Sequence, residues 1–284
     1  SNVNGPLQLD RSRFSSGQID GRFLGEPISI RLRHPEAEEV GLTQIVEVMG
    51  TTPAPKVADA LRLPFANRYT GSVSWAARAL FPDLTSPASR QFEILVTSDL
   101  ENAAIDLPAP LFKAPESAEP MTASIRFPRA GEFEVVATTH SGIGANLSFG
   151  KAGTSWNLQR GALSFGMGVP VLPSESGISL GGSFGRLDVA DWVTLASTYA
   201  ESADGSNVAK EDFLRELDFS ADDLRLFGFS FPDSKVNALQ IGGLWYIDIA
   251  GPWAAGKLIV PASFSADETL RADMSRLMLV DDAT

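Results

Sequence analysis

Apolar residues recur on every second position through most of this chain, the periodicity of strands with one buried and one wetted face. Ile28, Ile30 and Leu32 alternate with Ser29, Arg31 and Arg33, and Phe133 and Val135, then Leu147 and Phe149, repeat the pattern. The pattern predicts a hairpin from Leu7–Phe14 and Gln18–Leu24 around Ser15-Ser16-Gly17, then strands over Pro27–His34, Leu42–Met49, Gly71–Ala79 and Arg90–Asp99. Beyond a proline-rich seam at Pro108–Pro120, a meander is expected over Thr122–Phe127, Glu132–Thr139, Ala145–Gly150, Ser155–Leu158, Ala162–Met167 and Ile178–Phe184. Its links look too short for crossovers, so the pairing is expected to be antiparallel. Strands resume over Leu214–Ser220, Leu224–Phe231, Lys235–Ile241, Leu244–Ile249, Lys257–Pro261 and Leu270–Val280.

Two helices interrupt the strands. A short one is expected over Ala54–Leu63, with Pro55 in the first turn, where its missing N–H is harmless. A long one is expected over Val189–Glu201, capped by Asp188, with Trp192, Leu195, Ala196 and Tyr199 on one face. Ser202–Asn207 reads as a linker. The chain is therefore mainly β, in three expected segments: 1–112 with the short helix, 113–206 ending in the long one, and 207–284 continuing the sheet. So little helix leaves much apolar sheet to cover. Either the sheet packs on itself as a sandwich or barrel, or it curls and leaves an apolar trough open.

Composition narrows the function. At 284 residues and 44% apolar content the chain can bury a sizeable core. A formal charge of -12 argues against nucleic acid and against anionic headgroups drawn by bulk attraction, so any lipid contact would run through apolar side chains. Cysteine is absent, which removes disulfides and thiolate chemistry. No stretch approaches the roughly 20 apolar residues of a membrane-spanning helix. The absence of an initiator Met suggests an excerpt of a longer protein. His34 and His140 sit at strand ends without a catalytic motif and read as turn residues. Gly142-Ile143-Gly144 precedes a strand and has Leu147 where a dinucleotide fingerprint needs glycine. Asp222-Asp223 and Asp281-Asp282 lack calcium-loop spacing. No cofactor, metal or enzymatic activity is expected.

Several local patterns, in this order along the chain, resemble a known family: Asp99-Leu100 through Leu111 with its Leu-Pro-Ala-Pro-Leu, the Arg160–Gly166 turn, the Leu187–Trp192 helix start, and Gly256–Pro261 leading to Leu277-Met278-Leu279. From about Gly17 onward the chain resembles the YhdP branch of the AsmA-like family, relatives of TamB. That resemblance implies a long curved antiparallel sheet of repeating β-groove units with an open apolar trough. It also implies a periplasmic, inner-membrane-anchored protein of Gram-negative bacteria that moves phospholipid to the outer membrane. The expected partners are phospholipid acyl chains, membranes through parts outside this chain, and a second copy through exposed apolar surface. The expected lining is one strand face: Ile125, Phe127, Phe133, Val135, Leu147, Phe149, Trp156, Leu158, Leu163, Phe165, Leu217, Phe219 and the stripe Phe227, Phe229 and Phe231. A one-residue slip would reverse that set. The alternative is a scaffold in outer-membrane biogenesis that recruits proteins by strand addition at a sheet edge. A hydrolytic β-domain would need two carboxylates facing each other across a cleft, and nothing in the linear sequence points to such a pair.

Overall fold

In a computed structural model, the described residues are 7–10, 13–61, 63, 65–86, 91–153, 155–166, 168–202, 214–226, 228–261 and 270–279. Strands dominate. β1 (Leu7–Asp10) and β2 (Arg13–Ser16) form a two-stranded sheet of their own. The others are β3 (Ile19–Phe23), β4 (Glu26–Arg33), β5 (Leu42–Pro53), β6 (Tyr69–Pro82), β7 (Glu93–Ser98), β8 (Ala103–Ile105), β9 (Met121–Arg126), β10 (Glu132–Thr139), β11 (Ile143–Ala152), β12 (Ser155–Phe165), β13 (Gly177–Asp188), β14 (Leu214–Leu226), β15 (Phe229–Ile241), β16 (Leu244–Ala250), β17 (Ala254–Pro261) and β18 (Arg271–Leu277). They make one sixteen-stranded mixed sheet whose order runs from β3 to β18 without closing, with β8 paired to β6 off that path. α1 (Ala54–Ala60) and α2 (Val189–Ser202) are the α-helices among the described residues. The chain divides into two compact units: Ser1–Leu107 with Phe112–Ser141 and Phe149–Trp156, and Pro108–Leu111 with Gly142–Ser148 and Asn157–Thr284.

In the first unit, β3 to β7 and β9 to β10 pair antiparallel. The opening hairpin differs from expectation. Phe23 pairs with Glu26 across Leu24-Gly25, which have φ of 50° and 85°, so the tight turn favoured by right-twisted strands joins β3 to β4. β2 then pairs with β1 instead. α1 packs on β5 and β6 through the buried Ala54 and Ala58. On the polar side, Arg33 donates to both oxygens of Glu39 at 2.7 and 2.9 Å and to Glu47 at 2.6 Å, while Arg78 also bonds Glu39. This bidentate arrangement ties the loop after β4 to three strands.

The second unit corrects three further expectations. β12–β13 and β13–β14 are parallel. The link from β12 to β13 has no helix among its described residues, and α2 lies in the link from β13 to β14. Ser155–Leu158 and Ala162–Met167 are not separate strands, because β12 runs unbroken to Phe165. The Phe227, Phe229 and Phe231 stripe does not lie on one strand. Leu226 pairs with Phe229, and Gly228, at φ 83°, supplies the turn between β14 and β15. Phe227 itself lies outside the described residues, as do residues 203–207 of the expected linker and Asp281-Asp282.

One irregularity runs across three strands of this unit. Phe184, Ala221 and Ser234 form one row of neighbours, and Leu187, Leu224 and Phe231 form another three residues away. Strict alternation would turn the second row to the opposite face. The row between them, Gly185, Asp222 and Asp233, is absent from the pairing, and Asp233 has φ 49°. The strands turn over at this seam, so Phe184, Ala221, Leu187, Leu224 and Phe231 share one buried cluster.

Leu224 is 2% exposed and Leu239 43%. Leu224→Ala is expected to cost about 2–5 kcal/mol and Leu239→Ala less than about 0.5 kcal/mol, read by urea unfolding. Hydrogen bonds from Arg33, the strongest influence, hold the Glu39 carboxyl down at about 2 from an ordinary 4.5. A depressed carboxylate stabilises the fold above its unfolded value and loses that contribution as pH falls through its folded value. Glu39→Gln is therefore expected to be less stable than the native chain above about pH 4.5. The gap should narrow steadily toward pH 2, as thermal melts across that range would show.

Candidate functional site

Cross-strand register builds the apolar face of the first unit directly. Leu32, Val46, Ala79, Ile94, Ile125 and Val135 are successive neighbours across six strands. Beside them run Ile30, Val48, Ala77, Val96, Ala123 and Ala137. Every one of these side chains is half-buried, neither sealed under a second layer nor fully exposed. Residues one position along each strand face the other way: Ser29, Met49, Ala76, Thr97, Thr122 and Thr138 form a mostly polar row. A hollow of about 850 Å³ is bordered by residues of both parities, Trp75 and Met121 as well as Met49, Thr51, Ser74, Thr97 and Thr122.

An aromatic row crosses the same unit. Phe81 and Phe92 have ring centroids 5.0 Å apart, Phe92 and Phe127 5.5 Å, and Phe127 and Phe133 6.3 Å. Phe133 stacks on Phe149 at 4.6 Å with 9° between planes and meets Trp156 edge-on at 4.9 Å. Spacings of this size add attraction beyond burial alone. Phe81, Phe127 and Trp156 remain 38%, 43% and 40% exposed, so the row presents ring surface to solvent. Trp75, also on the apolar face, is fixed by its indole N–H donating to Thr52 at 3.0 Å and by Phe23 packed edge-on against it.

The second unit treats its apolar face differently. Leu163, Leu180, Leu217, Ala238, Ile247 and Leu258 are cross-strand neighbours, and all but the buried Ala238 are half-buried. The next row holds Phe165, Phe219, Val236 and Ile249, all buried, with Phe184 5.1 Å from Phe165 and 5.6 Å from Phe219. Over this cluster pack Leu111, Val189, Trp192 and Trp253. On the far face Asp223 accepts from Ser230 at 2.6 Å, and from Arg225 and Arg186, which together lower its pKa.

The expected lining residues therefore divide. Ile125, Phe133 and Val135 lie half-buried on the open face of the first unit, Phe127 and Trp156 are exposed there, and Phe149 is buried in the aromatic row. Leu147, Leu158, Leu163, Leu217 and Phe229 are half-buried in the second unit, and Phe165, Phe219 and Phe231 are sealed in its cluster. Phe81, Phe92, Ile94 and Val96 were not expected as lining. Phe81 and Phe92 flank a turn-rich stretch, and only register reveals that they continue the row. His34 and His140 lie at strand ends as expected, and no group of three or more His, Asp or Glu among the described residues is arranged to hold a metal.

The family described as YhdP protein matches residues 1–284, the full length of this chain. The chain belongs to the YhdP family. YhdP membership places it among bacterial envelope proteins. Neither a curated protein nor a solved structure matches it significantly. Among the described residues of this YhdP-family chain, no helix is long and apolar enough to cross a membrane.

A face open to solvent should take up an apolar dye, and a charge placed on it should stop that. Val96→Glu is expected to reduce binding of 1-N-phenylnaphthylamine several-fold, whereas Thr97→Glu, one residue along the same strand, leaves it unchanged. Fluorescence titration of the two variants checks this.

Proposed function

We propose that this chain is a non-enzymatic segment of a periplasmic lipid-transfer protein that shelters phospholipid acyl chains against its apolar sheet face between the inner and outer membranes. The observation carrying this reading is the pair of half-buried aliphatic rows in the first unit, extended by exposed rings of the aromatic row. Moving a bare phospholipid through water exposes its acyl chains at about 0.8 kcal/mol per methylene, on the order of 25 kcal/mol for two ordinary chains. An aliphatic wall removes most of that barrier without bond chemistry. The headgroup stays in water at the mouth, so a protein of net charge -12 needs no basic pocket. Membership of an envelope family supports the same reading.

A second reading has its own observation. The strand order ends at β18, whose residues are all exposed except Met274. Such an edge can recruit an extended segment of another protein by main-chain hydrogen bonding, which would make the chain a scaffold in envelope assembly.

Detergent-free purification followed by mass spectrometry of extracted lipid separates the two. The acyl-chain reading predicts phospholipid in the native sample and its loss in an Ile94→Asp, Val135→Asp double variant that stays folded by circular dichroism. Lipid-free native protein, with a co-purifying polypeptide lost on Ala272→Pro, would favour the scaffold.

A further inference from the structure

Resting on the acyl-chain reading, we infer that α2, tethered by the strap Pro108–Leu111, is a displaceable lid on the apolar face of the second unit. The two units meet the same problem differently: aliphatic rows half-buried in the first, a cluster sealed in the second. Helix and loop side chains are among those that pack against that cluster. Val189 and Trp192 of α2 and Leu111 of the strap pack against the cluster containing Phe184, Phe219, Leu224 and Phe231, and Leu195 of the helix is 8% exposed. The indole N–H of Trp192 donates to the Ala109 carbonyl at 3.0 Å, joining helix and strap over this face.

The attachment is of a kind that can be exchanged. A helix of fourteen residues is marginal alone in water and takes its stability from what it packs against. α2 begins where β13 ends, with Asp188 accepting from the Ala190 N–H at 3.0 Å, so the cap can act as a pivot. An acyl chain entering beneath the lid replaces aliphatic and indole contacts with methylene contacts of the same character, so the cluster stays dry whether the lid is down or displaced. The hydrogen bond to Ala109 is the directional element, and losing it frees a carbonyl that water can satisfy. The first unit is then a wall always available, and the second a gated one.

The chain has no cysteine, so an introduced pair can be bridged without ambiguity. The probe is phosphatidylethanolamine with a diazirine on one acyl chain, offered in phosphatidylglycerol liposomes, with cross-linked peptides mapped by mass spectrometry. Trp192→Phe, which removes the N–H and keeps an aromatic ring, is expected to raise labelling around Phe219 and Phe231 several-fold over the native chain. In an Ala109→Cys, Trp192→Cys variant, a short bismaleimide bridge is expected to drop that labelling to background, while the same variant unbridged is labelled and both give the native circular dichroism. Labelling around Phe127 and Phe133 should be equal in all. Labelling at Phe219 and Phe231 that ignores the bridge, while Phe127 and Phe133 are labelled, would overturn the lid and leave the acyl-chain reading standing. No labelling at Phe127 and Phe133 in any variant would overturn both.

Discussion

Covering an apolar sheet face is the constraint from which the rest of this structure follows. Hydrogen bonding along a ladder satisfies the backbone and does nothing for the side chains on either face, which must find their own environment. Removing apolar surface from water is worth roughly 25 cal/mol per Å². A face spanning many strands therefore exerts a large pull on anything greasy, whether helix, second sheet, second copy or guest. Two helices among the described residues are too little to satisfy it throughout. The first unit leaves its rows half-buried, and the second places α2 and Leu111 over its phenylalanines.

The polar face makes that asymmetry durable. Thr122 pairs with Thr138, Thr51 with Ser74, and the Arg33, Glu39, Glu47 and Arg78 network holds a loop against the sheet. These groups favour water on their side and so fix which face is left apolar. The seam at Gly185, Asp222 and Asp233 serves the same end in the second unit. By letting the strands turn over, it gathers Leu187, Leu224 and Phe231 onto the side that already holds Phe184 and Ala221. Without it, those three side chains would point away.

Local chemistry was readable from the chain and register was not. β10 runs over Glu132–Thr139 as alternation predicts, and α2 starts at Val189 behind Asp188 because a short carboxylate accepts from the first turn of the helix. The parallel pair at β12–β13 was hidden, since a link without a helix carries no crossover pattern, whereas α2, the crossover between β13 and β14, was read as a helix but not as a sign of parallel pairing. The phenylalanine stripe dissolved because Gly228 places a turn inside it. Phe81 and Phe92 joined the aromatic row only through the pairing of distant strands. Period-two reasoning names faces correctly until an irregularity intervenes, and the left-handed backbone at Asp233 carries only a weak sequence signal, since aspartate enters that region more readily than most residues but usually does not.

The central claim is that acyl chains lie against the open face beside the aromatic row. Contact-range quenching of a chain in which Trp156 is the sole tryptophan, loaded with phospholipid brominated along its acyl chains, tests it most directly. The account predicts strong quenching of Trp156, greatest for bromines midway along the chain. Fluorescence equal to that with unbrominated lipid would contradict it.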